Sequence, residues 1–191
     1  MTDIKEYITV SGGIGSAYCA NLVLTNLSLN AELIFTDTKW EDQDLYRFLY
    51  ELEKFWNKKI IRLSDGRNPE KLFFDKRMLG SNRVPLCSRV LKAETMQNYL
   101  KKIEGRKIVY FGIDADEAHR AEKIKAVYDK LGIETRFPLI DKKIMMPFDK
   151  ERIQNEIEND WGIKVPRMYR EGFSHNNCSG GCVRQGKNSY D

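Results

Sequence analysis

The sequence predicts an α/β protein: an open, mostly parallel five-stranded sheet with helices on both faces and a short cysteine-containing C-terminal tail. Three observations carry this. Short β-rich runs alternate with stretches of helical periodicity, which is the pattern of βα units and a mostly parallel sheet. The first β-run, EYITV, passes through a glycine-rich turn, SGGIGS, straight into a helical stretch. After Trp161 the pattern changes to a compact, turn-rich segment, GIKVPRMYREGFSHNNCSGGCVRQGKNSYD, which holds two of the four cysteines.

Taken in order, strands are expected at Tyr7–Val10, Glu32–Thr36, Ile60–Leu63, Lys107–Gly112 and Glu134–Phe137. Helices are expected at Ser16–Leu27, Asp42–Trp56, Ser88–Ile103, Asp116–Leu131 and Lys150–Asp160. Within Asp42–Trp56 the residues Leu45, Phe48, Leu49, Leu52, Phe55 and Trp56 recur at helical spacing, so that stripe is core. The stretch from Asp65 to Pro85 is less regular and reads as a loop plus a short helix over the sheet's edge. Residues 1–160 are expected to form one domain, with residues 161–191 as a tail packed on it.

Composition narrows the classes. A chain of 191 residues can bury a sizeable core, and 41% hydrophobic with 31% charged residues is ordinary for a globular protein. No apolar run approaches the ~20 residues of a membrane span, and MTDIKEYITV lacks the regions of a secretion signal. The expected address is the cytoplasm, or the host cytoplasm if the gene is phage-encoded. The net charge of +4 is mild and its basic residues are interspersed with acids, so the surface reads as solvated. In that compartment four cysteines argue against a disulfide framework. Cys19 lies in an apolar helical stretch and reads as core, whereas Cys87, Cys178 and Cys182 sit in polar surroundings that ask for another explanation.

The turn at Ser11–Ser16 is built to receive an anion. Gly12, Gly13 and Gly15 let the backbone turn sharply and present bare N–H groups around Ile14. The hydroxyls of Ser11 and Ser16 add donors, and the following helix brings its positive end to the same point. No Gly-Lys-Ser or Gly-Lys-Thr follows, so this is not a Walker loop.

Other residues fall at the carboxyl edge of the expected sheet, where open parallel sheets bind ligands. Thr36, Asp37 and Thr38 close the second strand, and Asp37 suits either Mg²⁺ or a ribose hydroxyl, or else Thr38 caps the next helix. Gly112 ends the fourth strand, at a position where a side chain would crowd an adenine. Asp114, Glu117 and Arg120 follow, and the last two are three apart, which by itself reads as a surface ion pair. Arg89 and Lys92 share the same spacing just after Cys87 and can grip a sulfate or phosphate. Cys178 and Cys182 bracket Ser-Gly-Gly, a hairpin that can aim two thiolates at one point, and His175 is a candidate fourth ligand. Soft thiolates suit Zn²⁺ or a [4Fe-4S] cluster; a reactive thiol pair and plain structural cysteines are the alternatives.

SGGIGS after the first strand resembles the PP-loop of the adenine nucleotide α-hydrolase superfamily. IFTDTKWEDQDLYRF, CSRVLKAE and GIDADEAHRAE resemble, in order, three segments of its phosphoadenosine phosphosulfate (PAPS) reductase-like branch. With the tail NNCSGGCVRQGK the likeness spans nearly the whole chain. It implies a Rossmann-like sheet of PP-loop type, an adenine nucleotide (ATP, PAPS or its 3′-unphosphorylated analogue APS) with its phosphates on Ser11–Ser16, and Arg120 as a phosphate ligand. It also implies Cys87 near the same sheet edge as the tail cysteines. Two features depart from the pattern. Gly15 stands where many ATP pyrophosphatases carry Asp, and the reductases' C-terminal Glu-Cys-Gly-Leu-His motif is absent.

The first activity implied is therefore cleavage between the α- and β-phosphates of ATP. An acceptor would be adenylated for sulfur transfer or nucleic-acid modification, with Mg²⁺, Arg120 and Lys92 neutralising phosphate charge and Asp37 assisting. The acceptor would be a nucleic acid or be served by a sulfur-donor protein, and a homodimer is admissible. Reduction of a sulfonucleotide is the alternative, and a non-catalytic nucleotide-binding module of a larger assembly is the third.

Overall fold

A computed structural model describes residues 4–81, 83–141, 149–173, 176 and 178–183. In chain order the elements are β1 (Ile4–Thr9), α1 (Ile14–Asn26), β2 (Glu32–Thr36), α2 (Gln43–Phe55), β3 (Ile60–Leu63) and α3 (Pro69–Lys76). A π-helical segment, Ser88–Glu94, then runs into α4 (Thr95–Lys101). β4 (Arg106–Tyr110), a 3₁₀ turn (Ala115–Glu117), α5 (Ala118–Asp129), β5 (Glu134–Arg136), α6 (Lys150–Asn159) and α7 (Arg167–Arg170) follow.

The five strands are all parallel, in the order β3-β2-β1-β4-β5. Burial on both faces explains the apolar runs of β2 and of the second half of β4. Ile8, Leu33, Phe35, Ile108 and Tyr110 pack towards α1 and α2. Their neighbours Tyr7, Ile34 and Val109 face the opposite way, onto Met96 and Leu100 of α4 and Tyr128 of α5. The strand order reverses between β1 and β4, and a right-handed crossover on each side of that reversal puts helices on both faces. A crevice opens there, beyond the carboxyl ends of the strands.

α2 forms as its apolar stripe dictates. Leu45, Phe48, Leu49 and Leu52 are buried, whereas Phe55, also expected in the core, is exposed and Trp56 half-buried where the helix runs out past the core; Asp42 caps the helix by accepting the Asp44 N–H at 2.9 Å. At its far end the buried carboxylate of Glu53 accepts the Ile60 N–H (2.8 Å) and so fixes where β3 starts. Several boundaries differ from the sequence expectation, β4 for one ending at Tyr110 and not at Gly112, and three of the differences have a visible cause or consequence. β1 begins earlier because Ile4 pairs with Arg106. α1 begins at Ile14, so half of the glycine-rich turn is already helix. The helix expected over Ser88–Ile103 is wound as π in its first half, with the Thr95 hydroxyl donating to the Val90 carbonyl (3.2 Å).

Directly after Trp161 the chain packs on the same core. Ile163 and Val165 join Ile14, Phe48, Leu52, Ile153 and Ile157 in one apolar cluster. Trp161 stacks on Phe55 at 5.0 Å between ring centroids. Arg167 then forks onto Asp42, with Nε 3.0 Å from Oδ1 and Nη2 2.6 Å from Oδ2. Hydrogen bonding from Arg167 outweighs burial and holds the Asp42 carboxyl below the usual range; Arg47 does the same for Asp44.

Two outcomes follow for stability. Gly12 has φ +82°, and a Cβ there would lie 2.5 Å from Cγ of Leu45. Gly12→Ala is expected to cost about 3 kcal/mol in urea unfolding, combining left-handed strain and overpacking. Because the Asp42 and Asp44 carboxyls are depressed, they stabilise the fold above the ordinary Asp value of about 4, and that stability is lost as pH falls through their folded values. Arg167→Gln is expected to flatten the acid limb of a stability-versus-pH curve, measured by denaturant midpoint.

Candidate functional site

The crevice at the sheet's carboxyl edge is a cleft of about 1310 Å³. Ser11, Gly13 and Ser16 form its floor, Thr36, Thr38 and Trp40 one wall, and Cys87, Lys92, Gly112, Glu117 and Arg120 much of the other. Tyr169, Asn176, Cys178 and Cys182 close it from the C-terminal segment.

The loop is held by its own serines. The Ser16 hydroxyl accepts the Ser11 N–H (3.0 Å) and the Ser11 hydroxyl (3.0 Å) and donates to the Gly13 carbonyl (2.8 Å). Expected as donors to an anion, the two hydroxyls here spend themselves on loop closure. Gly13 stands extended at the α1 N-cap with no side-chain cap of its own, so the first N–H groups of the helix lack intrahelical partners. The hydroxyl of Tyr169 reaches the same place, where the Ile14 N–H binds it; burial nevertheless pushes the phenol up to about 12. The side chain of Ile14 itself is core.

Gly112 lines the cleft and is also required by close packing. A Cβ there would lie 2.8 Å from Cα of Ser16 and 3.2 Å from the Gly15 carbonyl. The glycine lets the chain beyond β4 touch the start of α1, and so sets the loop's position.

Glu41 lies behind the cleft lining and joins three of its lining residues. Its side chain is fully buried and accepts from the Thr38 hydroxyl (3.0 Å), Lys92 Nζ (2.9 Å) and the Cys178 N–H (3.4 Å). Burial works against the Lys92 ammonium, but Glu41 and the thiols of Cys178 and Cys182 outweigh it, so Lys92 titrates above its ordinary range. Cys178 shares a hydrogen bond with Cys182, and this, burial and Glu41 push its thiol well above the usual range.

Several expected site residues lie elsewhere. Asp37 is outside the cleft lining, and its Oδ1 accepts the Lys39 N–H (2.7 Å) and the Tyr46 hydroxyl (2.8 Å). Asp114 caps the 3₁₀ turn through the Glu117 N–H (3.1 Å). Arg89 is exposed, 3.8 Å from Glu94, and does not share a face with Lys92. The reason is the π winding, which closes its bonds at i→i+5 so that residues three apart no longer stack. Arg120 and Glu117 line the cleft's rim as an ion pair.

Cys87, Cys178 and Cys182 all line the cleft as thiols. Among the described residues no group of three or more His, Cys, Asp or Glu side chains converges closely enough to hold a metal ion. His175 lies outside the described residues. Sequence reasoning did not single out Tyr169, Asn176 or Glu41. Asn176 is buried, donates from Nδ2 to the Gly12 carbonyl (3.2 Å), and leaves Oδ1 without a partner among the described residues. Only the fold brings that segment to the loop.

The fold and cleft define an α/β protein with a glycine-rich loop and a cleft at the reversal point of its parallel sheet. The phosphoadenosine phosphosulfate reductase domain matches residues 5–175, and the chain belongs to that family. Among solved structures it is similar to a phosphoadenylyl-sulfate (PAPS) reductase from Candida auris in a phosphate complex. That likeness has a TM-score of 0.57 and 14% sequence identity, covering 89% of this chain and 79% of the other. No curated protein sequence matches the chain. No described helix is long and apolar enough to cross a membrane.

Removing the buried carboxylate should be costly. Glu41→Leu leaves Lys92 without its counter-charge, and the expected loss is about 3 kcal/mol in chemical denaturation, with Glu41→Gln losing less.

Proposed function

We propose that the chain is an enzyme acting on a sulfonucleotide, PAPS or APS, with the 5′-phosphosulfate at Ser11–Ser16 and the adenosine along the apolar rim at Trp40. One observation carries this reading: a thiol pair, an ammonium and the uncapped start of α1 line one cleft. The helix end and Arg120 supply positive potential for the phosphate. Lys92, whose charge is half-committed to Glu41, neutralises the sulfonate as charge moves onto it. A cysteine thiolate, for which Cys182 is our choice, attacks the sulfonate sulfur. The S–O bond breaks, the electron pair leaves with the 5′-phosphate, and the cysteine carries the sulfonate.

A second reading is favoured by size. The cleft exceeds the ~300–1,000 Å³ usual for a small-molecule site, which leaves room beside ATP for an acceptor to be adenylated with loss of pyrophosphate. Nucleic acid and sulfur-carrying acceptors both fit that reading, and a non-catalytic module would bind nucleotide and release nothing.

Product analysis separates them. Incubation with PAPS, APS or ATP in the presence of an added dithiol is expected to give sulfite from a sulfonucleotide and no pyrophosphate from ATP; the opposite pattern would overturn the proposal. By calorimetry, Ser11→Ala with Gly13→Val is expected to abolish nucleotide binding, because a Cβ at 13 meets the Tyr169 hydroxyl at 3.0 Å. Unchanged affinity would remove the loop from the site.

A further inference from the structure

The proposed chemistry uses one thiol, yet the cleft presents two side by side. Cys178 and Cys182 bracket a tight turn in which the Gly181 N–H donates to the Cys178 carbonyl (2.8 Å) and φ is positive at Cys178, Ser179 and Gly180. The turn is braced from behind: a Cβ on Gly180 would lie 2.8 Å from Cε of Met168 and 3.1 Å from the Phe173 ring. Folded this way, both thiols line the cleft and the Cys178 thiol is hydrogen-bonded to Cys182. The Cys178 backbone is anchored to Glu41 Oε2, an oxygen whose partner Oε1 already takes Thr38 and Lys92.

We propose that Cys178 and Cys182 form a self-resolving two-electron pair, in which Cys178 displaces sulfite from a sulfonated Cys182 and leaves an intramolecular disulfide. This rests on the sulfonucleotide reading and deepens it by naming the reductant of that same site. In the first step Cys182 gains the sulfonate and the nucleotide leaves as its 5′-phosphate. In the second, the Cys178 thiol gives its proton to Glu41 and its sulfur attacks Cys182. The S–S bond between the cysteines forms, the bond from Cys182 to the sulfonate breaks, and its electron pair departs with sulfite. Sulfur falls from the +6 to the +4 state while two thiols are oxidised to one disulfide, which an external dithiol then reduces. The arrangement requires no second protein for release of the product, only for the next turnover.

The test is a single turnover with full-length protein, reduced, freed of reductant under anaerobic conditions, and mixed with PAPS or APS. After acid quench and alkylation, sulfite is assayed and the tail peptide is weighed by mass spectrometry. The expected result is sulfite stoichiometric with protein and a Cys178–Cys182 disulfide. Cys178→Ser, verified as folded by its melting curve, is expected to retain the sulfonate on residue 182 and to release sulfite only when a dithiol is added. If wild-type protein instead accumulates the sulfonated cysteine and holds its sulfite until a dithiol arrives, the pair inference fails while the sulfonucleotide reading stands. If wild-type protein shows neither sulfonate, disulfide nor sulfite, both fail together.

Discussion

The Glu41 carboxylate, buried and with three donors, is the interaction on which the cleft depends. It ties the loop after β2 to the π-helical segment through Lys92, and both to the C-terminal segment through the Cys178 N–H. These pieces are far apart in sequence and belong to no common element. A buried charge with so many partners is costly to disturb, because the loss of any one leaves the others facing an unmatched group. One side chain thus makes the cleft a single arrangement of parts.

Across the cleft the organising constraint is steric. Gly112 allows the chain past β4 to rest on the start of α1, and Gly12 allows the loop to rest on Leu45 of α2. Together they hold the loop between two secondary-structure layers, while Ser16 closes it internally. The result divides labour. Backbone groups of the loop and helix end supply a fixed anion-attracting field, and side chains of the opposite wall supply the groups that can change charge or bonding.

The fold was legible because its signals are local. A parallel strand buried on two faces reads as an apolar run, and Leu45, Phe48, Leu49 and Leu52 repeat at the helical period whatever lies around them. The glycine-rich turn was legible for the same reason. The site was less so, because its arrangement comes from long-range contacts. Asp37 looks available in sequence, but Tyr46 of α2 occupies it. Arg89 and Lys92 look like one face until the winding of their segment is known. Glu41 reads as an ordinary acidic residue near a helix start, and only the approach of Lys92 and Cys178 gives it a different role. Tyr169 and Asn176 carry no local signal at all, since their position depends on how the chain beyond α6 is pinned by Arg167 to Asp42.

The π-helical winding of Ser88–Glu94 has an evolutionary side. A π segment is equivalent to an α-helix carrying extra residue length in its turns. Loss of a single codon there would let the segment relax to ordinary α winding, and each residue of register rotates a side chain by roughly 100° about the axis. Lys92 would swing away from Glu41 without any change to the sheet, the glycine contacts or the apolar core. A family built on this scaffold can therefore gain or silence the ammonium of its cleft by one small insertion or deletion, far more cheaply than by remodelling the fold.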